Sequence, residues 1–236
     1  MYKTIIFDLD DTLTSNLENI KYAFTKVLEY RKEKYSEEKF IKFVEIDVKT
    51  WSDRAKGILK TPYEDNRIKK AEWLRARRFI RYFGEEQITY DEAVQVNNLY
   101  MDAMKEIVVP QEGCYEIIKY LYDKKYKLVI ATNGPLIPLE SKINKLKIMN
   151  YIDTIFSAEE VGYIKPHPKF YEGLFKKANI KSKKEILFVG DDLEKDVKGG
   201  IENGIDVCWC NYNNEINNEY KTNYEIHKLM ELKNIL

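Results

Sequence analysis

The first apolar run of the chain begins almost at its N-terminus and ends in acidic residues. Ile5-Ile6-Phe7 is apolar at every position, which is typical of a strand buried on both faces of a parallel sheet. Three carboxylates follow at once, at Asp8, Asp10 and Asp11. Open α/β sheets bind their ligands at the carboxyl ends of their strands, and crowded carboxylates repel one another unless a cation lies among them. The pattern therefore predicts a metal site, with a candidate nucleophile, on the first loop.

Further along the chain, apolar strands alternate with amphipathic helices. Strands are predicted at residues 126–131, 154–156, 185–189 and 206–210. Helices are predicted near residues 112–124, 137–146, 169–178 and 194–203, and a last short helix is predicted to contain residues 227–232. Because such alternation specifies parallel strands joined by right-handed crossovers, we predict an α/β fold in which helices sandwich a Rossmann-like parallel sheet.

The intervening segment, residues 14–108, differs in composition from the rest of the chain. Glycine is nearly absent from it, and sequence patterns that start helices recur. These signals are Ser36 before two glutamates and two capping-box spacings, Thr61 with Glu64 and Thr89 with Glu92. We predict an inserted all-helical domain of four or five helices at 14–108, and a Rossmann-like catalytic core at 1–13 and 109–236. An insert at this point can close over the strand ends and exclude water.

The charge balance narrows the range of partners. Lys plus Arg and Asp plus Glu both total 39, so no net charge directs the chain toward nucleic acid or an anionic membrane. No apolar run approaches the roughly 20 residues of a membrane span, and the first strand leaves no room for a signal peptide. The three cysteines, Cys114, Cys208 and Cys210, lack a zinc-binding pattern. We expect buried thiols, a cytoplasmic location, no nucleic-acid or membrane partner, and a monomer or homodimer.

Three more segments carry candidate chemistry near predicted strand ends. Thr132-Asn133-Gly134 follows the second strand and offers a hydroxyl and backbone N–H groups to an anion. Lys165 precedes two prolines, which stiffen the segment that carries its charge. Gly190-Asp191-Asp192, with Asp196, forms a second acidic cluster. Each segment alone has an ordinary interpretation as a turn, a helix cap or a solvated side chain, but two acidic clusters on adjacent strands could share one Mg²⁺.

In this order the four elements resemble the haloacid dehalogenase superfamily, and the helical insert resembles the cap of its first subclass. The match consists of D-x-D-x-T from Asp8 to Thr12, the Thr132 turn, Lys165, and G-D-x-x-x-x-D from Gly190 to Asp196. It covers the chain outside roughly residues 13–109. The resemblance implies a Mg²⁺-dependent phosphomonoester hydrolase that forms an aspartyl-phosphate on the first aspartate.

The resemblance also implies a role for each site residue. Asp8 is the nucleophile, and Asp10 protonates the leaving alkoxide and then deprotonates the attacking water. The metal ligands are Asp8, Asp191 and the backbone carbonyl of Asp10. Thr132, the backbone at Asn133 and Lys165 bind the phosphoryl oxygens. Asp196 orients a metal-bound water or Lys165. Asp11 and Asp192 depart from the small residues often found at these positions in the family, and Asp192 is an alternative direct ligand.

Three C-terminal segments also resemble the bacterial pyrimidine 5′-nucleotidase branch: residues 199–204, 208–211 and 224–229. This resemblance implies a small phosphorylated metabolite as partner, most specifically a pyrimidine nucleoside 5′-monophosphate. The base could stack on Trp51, Trp73 or a tyrosine of the helical insert.

Several alternative functions stay open at this point. A phosphatase or phosphomutase acting on a sugar phosphate or phosphoglycolate would use the same site. A haloacid dehalogenase would share the fold and Asp8 but has no use for an acid at Asp10 or for Mg²⁺. A non-enzymatic binding module would leave the four-part site unexplained. His167 and His227, the only histidines, are interpreted as a turn residue and a helix-surface residue.

Overall fold

The computed structural model describes residues 2–63, 67–134 and 136–236. The chain forms two compact units, one made of the residues up to Leu17 together with Val108–Leu236, and the other of Glu18–Ile107. The first unit contains the sheet and the second is helical. Across the described residues, no helix has both the length and the apolar character needed to cross a membrane.

The helical unit is built from four helices among the described residues. They are α1 (Asn16–Tyr30), whose first residues lie in the other unit, α2 (Glu37–Ala55), α3 (Arg67–Phe83) and α4 (Tyr90–Glu106). The predicted caps at Ser36 and Thr89 are confirmed: Ser36 accepts a hydrogen bond from the backbone N–H of Lys39, and Thr89 and Glu92 form a capping box. The predicted box at Thr61 depends on Glu64, which lies outside the described residues.

Stacked aromatic rings form the core of the helical unit. The Phe24 and Phe43 rings stack with centroids 4.4 Å apart, and Phe79 stacks on Phe43 at 5.5 Å. This core is separate from those that cover the sheet. That the unit acts as a cap over the strand ends, with the domain boundaries given above, stays a prediction.

A six-stranded parallel sheet forms the centre of the other unit. Its strands are β1 (Thr4–Phe7), β2 (Lys127–Thr132), β3 (Thr154–Ser157), β4 (Ile186–Gly190), β5 (Asp206–Cys210) and β6 (Tyr224–Ile226). The spatial order is β3-β2-β1-β4-β5-β6, so β1 lies between β2 and β4. The sheet is flanked by α5 (Cys114–Asp123), α6 (Leu136–Lys145), α7 (Pro168–Lys177) and α8 (Gly199–Glu202). The predicted fold class is confirmed.

Both faces of the central strand are buried, which explains its uninterrupted apolar sequence. Ile5 and Phe7 belong to the core on one face, with Ile117 and Leu139, whereas Ile6 packs into the core on the other face with Phe170. Ile5, Ile6 and Phe7 are each fully buried. A strand with alternating polarity could not occupy this position, because every other side chain would place a polar group in an apolar core.

Two predicted helices differ in the structure. The helix predicted at 194–203 is a π-helical turn, Leu193–Lys198, followed by the short α8. The helix predicted at 227–232 begins later, as a 3₁₀ helix at Leu229–Asn234, because the preceding Tyr224–Ile226 forms the edge strand β6. Three residues are too few for periodicity to reveal a strand. The strand β6 is specified instead by its pairing with β5 and by the burial of Ile226.

Candidate active site

The strand order brings the predicted site residues together. The strands β1, β2 and β4 are neighbours, and their carboxyl ends lead into Asp8, Asn133 and Asp191. All the predicted site residues line one cavity of about 250 Å³; they are Asp8, Asp10, Thr132, Asn133, Lys165, Asp191 and Asp196. This location is the edge at which parallel sheets bind ligands.

A buried lysine between two carboxylates forms the floor of the cavity. The Lys165 Nζ atom donates to Asp8 Oδ1 at 2.5 Å and to Asp196 Oδ1 at 2.7 Å, and it lies 3.3 Å from the carbonyl oxygen of Ala131. Only 2% of Lys165 is exposed. Burial alone would lower the pKa of Lys165, but the Asp196 and Asp8 carboxylates raise it above its ordinary value. Lys165 therefore carries a fixed positive charge beside Asp8.

The Asp8 carboxyl experiences opposing influences. Burial raises the pKa of Asp8 well above its ordinary value, while the Lys165 ammonium lowers it and the Asp196 and Asp191 carboxylates raise it further. A carboxylate in this position is favoured by additional positive charge. The site thus has the electrostatic character of one that takes a cation.

Asp191 lies on the next strand end and is tied to β1 through Thr12. The Thr12 hydroxyl donates to Asp191 Oδ1 at 2.8 Å, and the Trp209 indole N–H donates to the Asp191 carbonyl oxygen at 2.8 Å. Burial raises the pKa of Asp191 to about 7, and the nearby Asp196 carboxylate acts in the same direction. The first contact holds the Asp191 loop against the loop after β1, and the second holds it against β5.

Three carboxylates are close enough to share a cation. Asp8, Asp191 and Asp196 each offer an oxygen, and these oxygens all lie within 4.8 Å of one another. Hard carboxylate oxygens are the donors that Mg²⁺ and Ca²⁺ prefer, so the donor set fits Mg²⁺. Asp196 is already engaged, because its Oδ1 accepts from Lys165 and its Oδ2 from the backbone N–H of Asp192 at 3.2 Å.

Asp10 contributes to the site in a different way. Within the described residues its carboxylate lies outside the three-carboxylate cluster, and its Oδ1 atom forms an ion pair with Lys142 Nζ. The Thr14 hydroxyl lies 3.5 Å from the same oxygen. Asp10 therefore has a different environment from Asp8, although only one residue separates them.

Side-chain hydrogen bonds from Thr132 and from Ser157 on β3 hold the turn after β2 in place. Thr132 Oγ1 accepts from the Gly134 N–H at 3.0 Å, and Ser157 Oγ donates to the Gly134 carbonyl oxygen at 2.7 Å. The Asn133 amide bonds the backbone of Lys165, accepting from its N–H at 2.7 Å and donating to its carbonyl oxygen at 3.4 Å. The Asn133 side chain thus joins the Thr132 turn to the Lys165 segment.

The two atypical acids have local structural partners. Asp192 caps the π-helical turn, with Oδ1 accepting from the N–H groups of Glu194 and Lys195, and its Oδ2 forms an ion pair with Lys195 Nζ. Asp11 has a left-handed backbone, φ 66°, and its Oδ1 accepts from the Asn16 N–H at 2.8 Å, at the start of α1. Among the described residues, Asp192 is not part of the carboxylate cluster.

Sequence reasoning missed several residues that support the site. Thr12 closes the D-x-D-x-T motif, and this position was the signal for its contact with Asp191. Gly190 is needed because a Cβ there would lie 2.5 Å from the Cβ of Asp196. Trp209 falls within a segment used only for family resemblance. Lys142 lies in the last turn of α6, and no sequence motif marked it.

Comparison with known proteins gives one family. A family model described as haloacid dehalogenase-like hydrolase matches residues 5–210. The pyrimidine 5′-nucleotidase PynA of Streptococcus pneumoniae is 26% identical over 245 residues, covering 100% of this chain and 97% of PynA. A glyceraldehyde 3-phosphate phosphatase of Pyrococcus abyssi is 26% identical over 212 residues, covering 90% of this chain and 82% of that protein.

Solved structures show the same fold. A crystal structure of YfnB from Bacillus subtilis bound to magnesium superposes with a TM-score of 0.86 at 24% identity, over 100% of this chain and 98% of that one.

Proposed function

The chain belongs to the haloacid dehalogenase-like hydrolases, as its motifs predicted, and we propose that it is a Mg²⁺-dependent phosphomonoester hydrolase with Asp8 as its nucleophile. The relatives named above are a nucleotidase and a phosphatase, which supports hydrolysis of phosphate esters. The observation that carries the proposal is the position of Asp8 at the end of β1, in hydrogen-bond contact with the buried Lys165 ammonium.

In the first step we propose that a carboxylate oxygen of Asp8 attacks phosphorus in line with the ester bond. The Asp8 O–P bond forms, the P–O bond to the leaving group breaks, and protonated Asp10 gives its proton to the departing alkoxide. Thr132, the backbone at Asn133 and Lys165, which line the cavity, are the proposed ligands of the phosphoryl oxygens.

In the second step a water attacks the phosphorus of the aspartyl-phosphate while Asp10 takes one of its protons. The bond from phosphorus to Asp8 breaks, which releases inorganic phosphate and regenerates the Asp8 carboxylate and the protonated Asp10. Asp8, Asp191 and the Asp10 carbonyl are the proposed Mg²⁺ ligands. When bound, the ion would neutralise negative charge on the phosphoryl oxygens. Asp196 holds Lys165 in position.

For the substrate we propose a pyrimidine nucleoside 5′-monophosphate. PynA, a pyrimidine 5′-nucleotidase, aligns with the whole of this chain, including the segments at 199–204, 208–211 and 224–229 that resemble this branch. A three-carbon sugar phosphate is the second candidate, because a relative that aligns with 90% of the chain is a glyceraldehyde 3-phosphate phosphatase.

Replacing the nucleophile tests the chemistry. We expect Asp8→Asn to lower the kcat for p-nitrophenyl phosphate by at least about 10³-fold while the protein stays folded, because only the attacking oxygen is lost. Asp123→Asn, an exposed acid on α5, serves as the matched control and should keep the wild-type rate. EDTA should abolish wild-type turnover and added Mg²⁺ should restore it. A tenth of the wild-type rate in Asp8→Asn would exclude covalent catalysis through Asp8, and full activity in EDTA would exclude the metal.

A further inference from the structure

Lys142 contacts the site through Asp10, whereas Lys165 contacts it through Asp8 and Asp196. Lys142 lies in α6, and its Nζ atom forms an ion pair with Asp10 Oδ1. Its side chain is only 17% exposed and that of Asp10 is 33% exposed. An ion pair shielded to this degree is less screened by water than one at a fully exposed surface.

The position of Lys142 is fixed by the packing of its helix. Leu139, Ile143 and Leu146 are buried in the core on one face of the sheet. They recur at the three- and four-residue spacing of a helix face, and Lys142 immediately precedes Ile143. The apolar contacts of α6 therefore determine where the Lys142 ammonium can reach.

The two oxygens of Asp10 have different surroundings. Oδ1 contacts the Lys142 ammonium and lies 3.5 Å from the Thr14 hydroxyl. Oδ2 lies on the side of the phosphate-binding turn, 3.8 Å from the position of a Cβ built on Gly134. Among the described residues, Oδ2 has no hydrogen-bond donor. Lys142 thus holds Oδ1 of Asp10, and Oδ2 faces the turn after β2.

We propose that Lys142 is a positioning residue that holds Asp10 by Oδ1 and presents Oδ2 to the leaving-group oxygen and then to the attacking water. The proposal rests on the proposed function, in which Asp10 exchanges a proton in both steps. Asp10 lies on the loop after β1, and proton transfer needs a donor–acceptor distance of about 2.6–3.2 Å. A displacement of about 1 Å can cost about 10²-fold in rate, so a contact that fixes this carboxylate has a measurable effect.

The proposal separates Lys142 from the phosphate-binding residues. Thr132, Asn133 and Lys165 line the cavity beside Asp8, whereas the contact of Lys142 within the site is with Asp10. If Lys142 acts through Asp10, its loss should change kcat and leave phosphate affinity unchanged. If it binds phosphate itself, its loss should raise KM and the inhibition constant of inorganic phosphate.

The test compares Lys142→Met, Lys142→Arg and the control Lys145→Met, an exposed lysine on the same helix. Each variant is measured with p-nitrophenyl phosphate, with an alkyl phosphate whose leaving group needs a proton, and with inorganic phosphate as inhibitor. We expect Lys142→Met to lower kcat on the alkyl phosphate by about 10–100-fold, with KM and phosphate inhibition within about twofold of wild type. The loss should be smaller on p-nitrophenyl phosphate. Lys142→Arg should recover most of the rate, and Lys145→Met should match wild type.

Unchanged kcat in Lys142→Met, or a raised KM together with weaker phosphate inhibition, would overturn the positioning role. Circular dichroism and the melting temperature check folding, and Lys142→Gln is measured in the same way if Lys142→Met does not fold. The Asp8→Asn variant separates the two claims: if it is inactive while Lys142→Met behaves as wild type, the proposed function stands and only the role of Lys142 is lost. Absence of turnover in the wild type would remove both.

Discussion

Lys165 is buried with two carboxylates, and the arrangement is tolerable because every charge in it has a hydrogen-bonded partner. Removing one partner would leave an uncompensated buried charge, which typically costs 3–5 kcal/mol. Asp196 and Asp8 together raise the pKa of Lys165 and so keep it charged, although burial alone would lower that pKa.

At the scale of single residues, the glycine that ends β4 makes this arrangement possible. A Cβ on Gly190 would lie 2.5 Å from the Cβ, Cγ and Oδ2 atoms of Asp196, so Gly190→Ala must displace Asp196 and loosen its contact with Lys165. We expect about 10²-fold lower kcat/KM and a loss of about 1–3 kcal/mol in unfolding free energy. Steady-state kinetics and urea unfolding measure the two effects.

Gly200→Ala is the matched steric control, because its Cβ would lie 2.3 Å from Val207 Cγ1 and contacts no site residue. It should lose stability to a similar extent and keep its activity when folded. Equal activity in the two variants would show that the close approach of Asp196 to Gly190 has no bearing on turnover.

The extent to which single residues could be predicted depended on motif spacing. Five site residues were found because their spacing and strand-end positions can be read directly from the sequence. The structure places all five in one cavity; they are Asp8, Asp10, Lys165, Asp191 and Asp196. Lys142 was not visible, because its contact with Asp10 spans 132 positions and depends on how α6 packs. The catalytic roles themselves stay predictions.

At the scale of secondary-structure elements, β5 supports the site through contacts with the loop that follows β4. Its alternate residues face two cores: Cys208 and Cys210 pack on one face of the sheet and Trp209 on the other. Trp209 also bonds the Asp191 carbonyl, and Tyr212, just beyond the strand, donates to the Thr12 carbonyl at 2.9 Å. The segment that resembles the nucleotidases thus contacts the loops that follow β1 and β4.

The burial of β5 and α5 predicts inert thiols. Burial raises the pKa of Cys114 and of Cys208 to about 12 and raises that of Cys210 well above its ordinary value. Since the thiolate is the reactive form, we expect no reaction of the native protein with DTNB at pH 8 and three equivalents after unfolding in guanidinium. Because the folded-state pKa values are raised, these thiols should also lower stability as the pH rises from about 9 toward 12.

Rapid labelling of the native protein would contradict this assignment of the thiols. Cys114→Ser, with a total of two equivalents after unfolding, is the control for the count. Alkaline unfolding followed by circular dichroism measures the predicted loss of stability.

Regular elements were predicted where they are apolar and long enough to show a period. The strands β1 to β5 were found on this basis, and the N-caps of α2 and α4 were found from their capping signals. The edge strand β6 and the π-helical turn were not, because both are specified by tertiary contacts. The turn from Leu193 to Lys198 is capped by Asp192 and carries Asp196 back against Gly190.

At the scale of the whole molecule, the proposed catalytic residues all lie in the sheet unit, and the helical unit has exposed aromatic side chains. Trp51 in the helical unit is 41% exposed, so its ring is accessible for stacking. The sheet unit contains every residue of the proposed catalytic set. The proposed catalytic residues do not determine which base or sugar is preferred. Substrate preference therefore tests the proposed pyrimidine nucleotide substrate separately from the proposed mechanism.

We expect dUMP, dTMP and UMP to exceed dAMP, glyceraldehyde 3-phosphate and a hexose phosphate by at least about tenfold in kcat/KM, because stacking on an aromatic ring favours a base and a purine adds a second ring to be accommodated. Phosphate release measured side by side for these substrates gives the ratios. A preference for glyceraldehyde 3-phosphate would favour the second candidate and leave the mechanism unchanged, whereas a preference for dAMP would exclude selection by base size.

The strand order also governs how the protein can fold while it is being made. β1 precedes the other five strands of the sheet in the chain, yet its neighbours β2 and β4 begin only at residues 127 and 186. Until β4 emerges, one side of a strand with three consecutive apolar residues is an unpaired edge, the kind of segment that aggregates or recruits chaperones. Asp8 is likewise synthesised well before Asp191 and Asp196, so a nascent chain that stops before β4 can contain Asp8 and Lys165 but lacks the Asp196 carboxylate that shares the lysine.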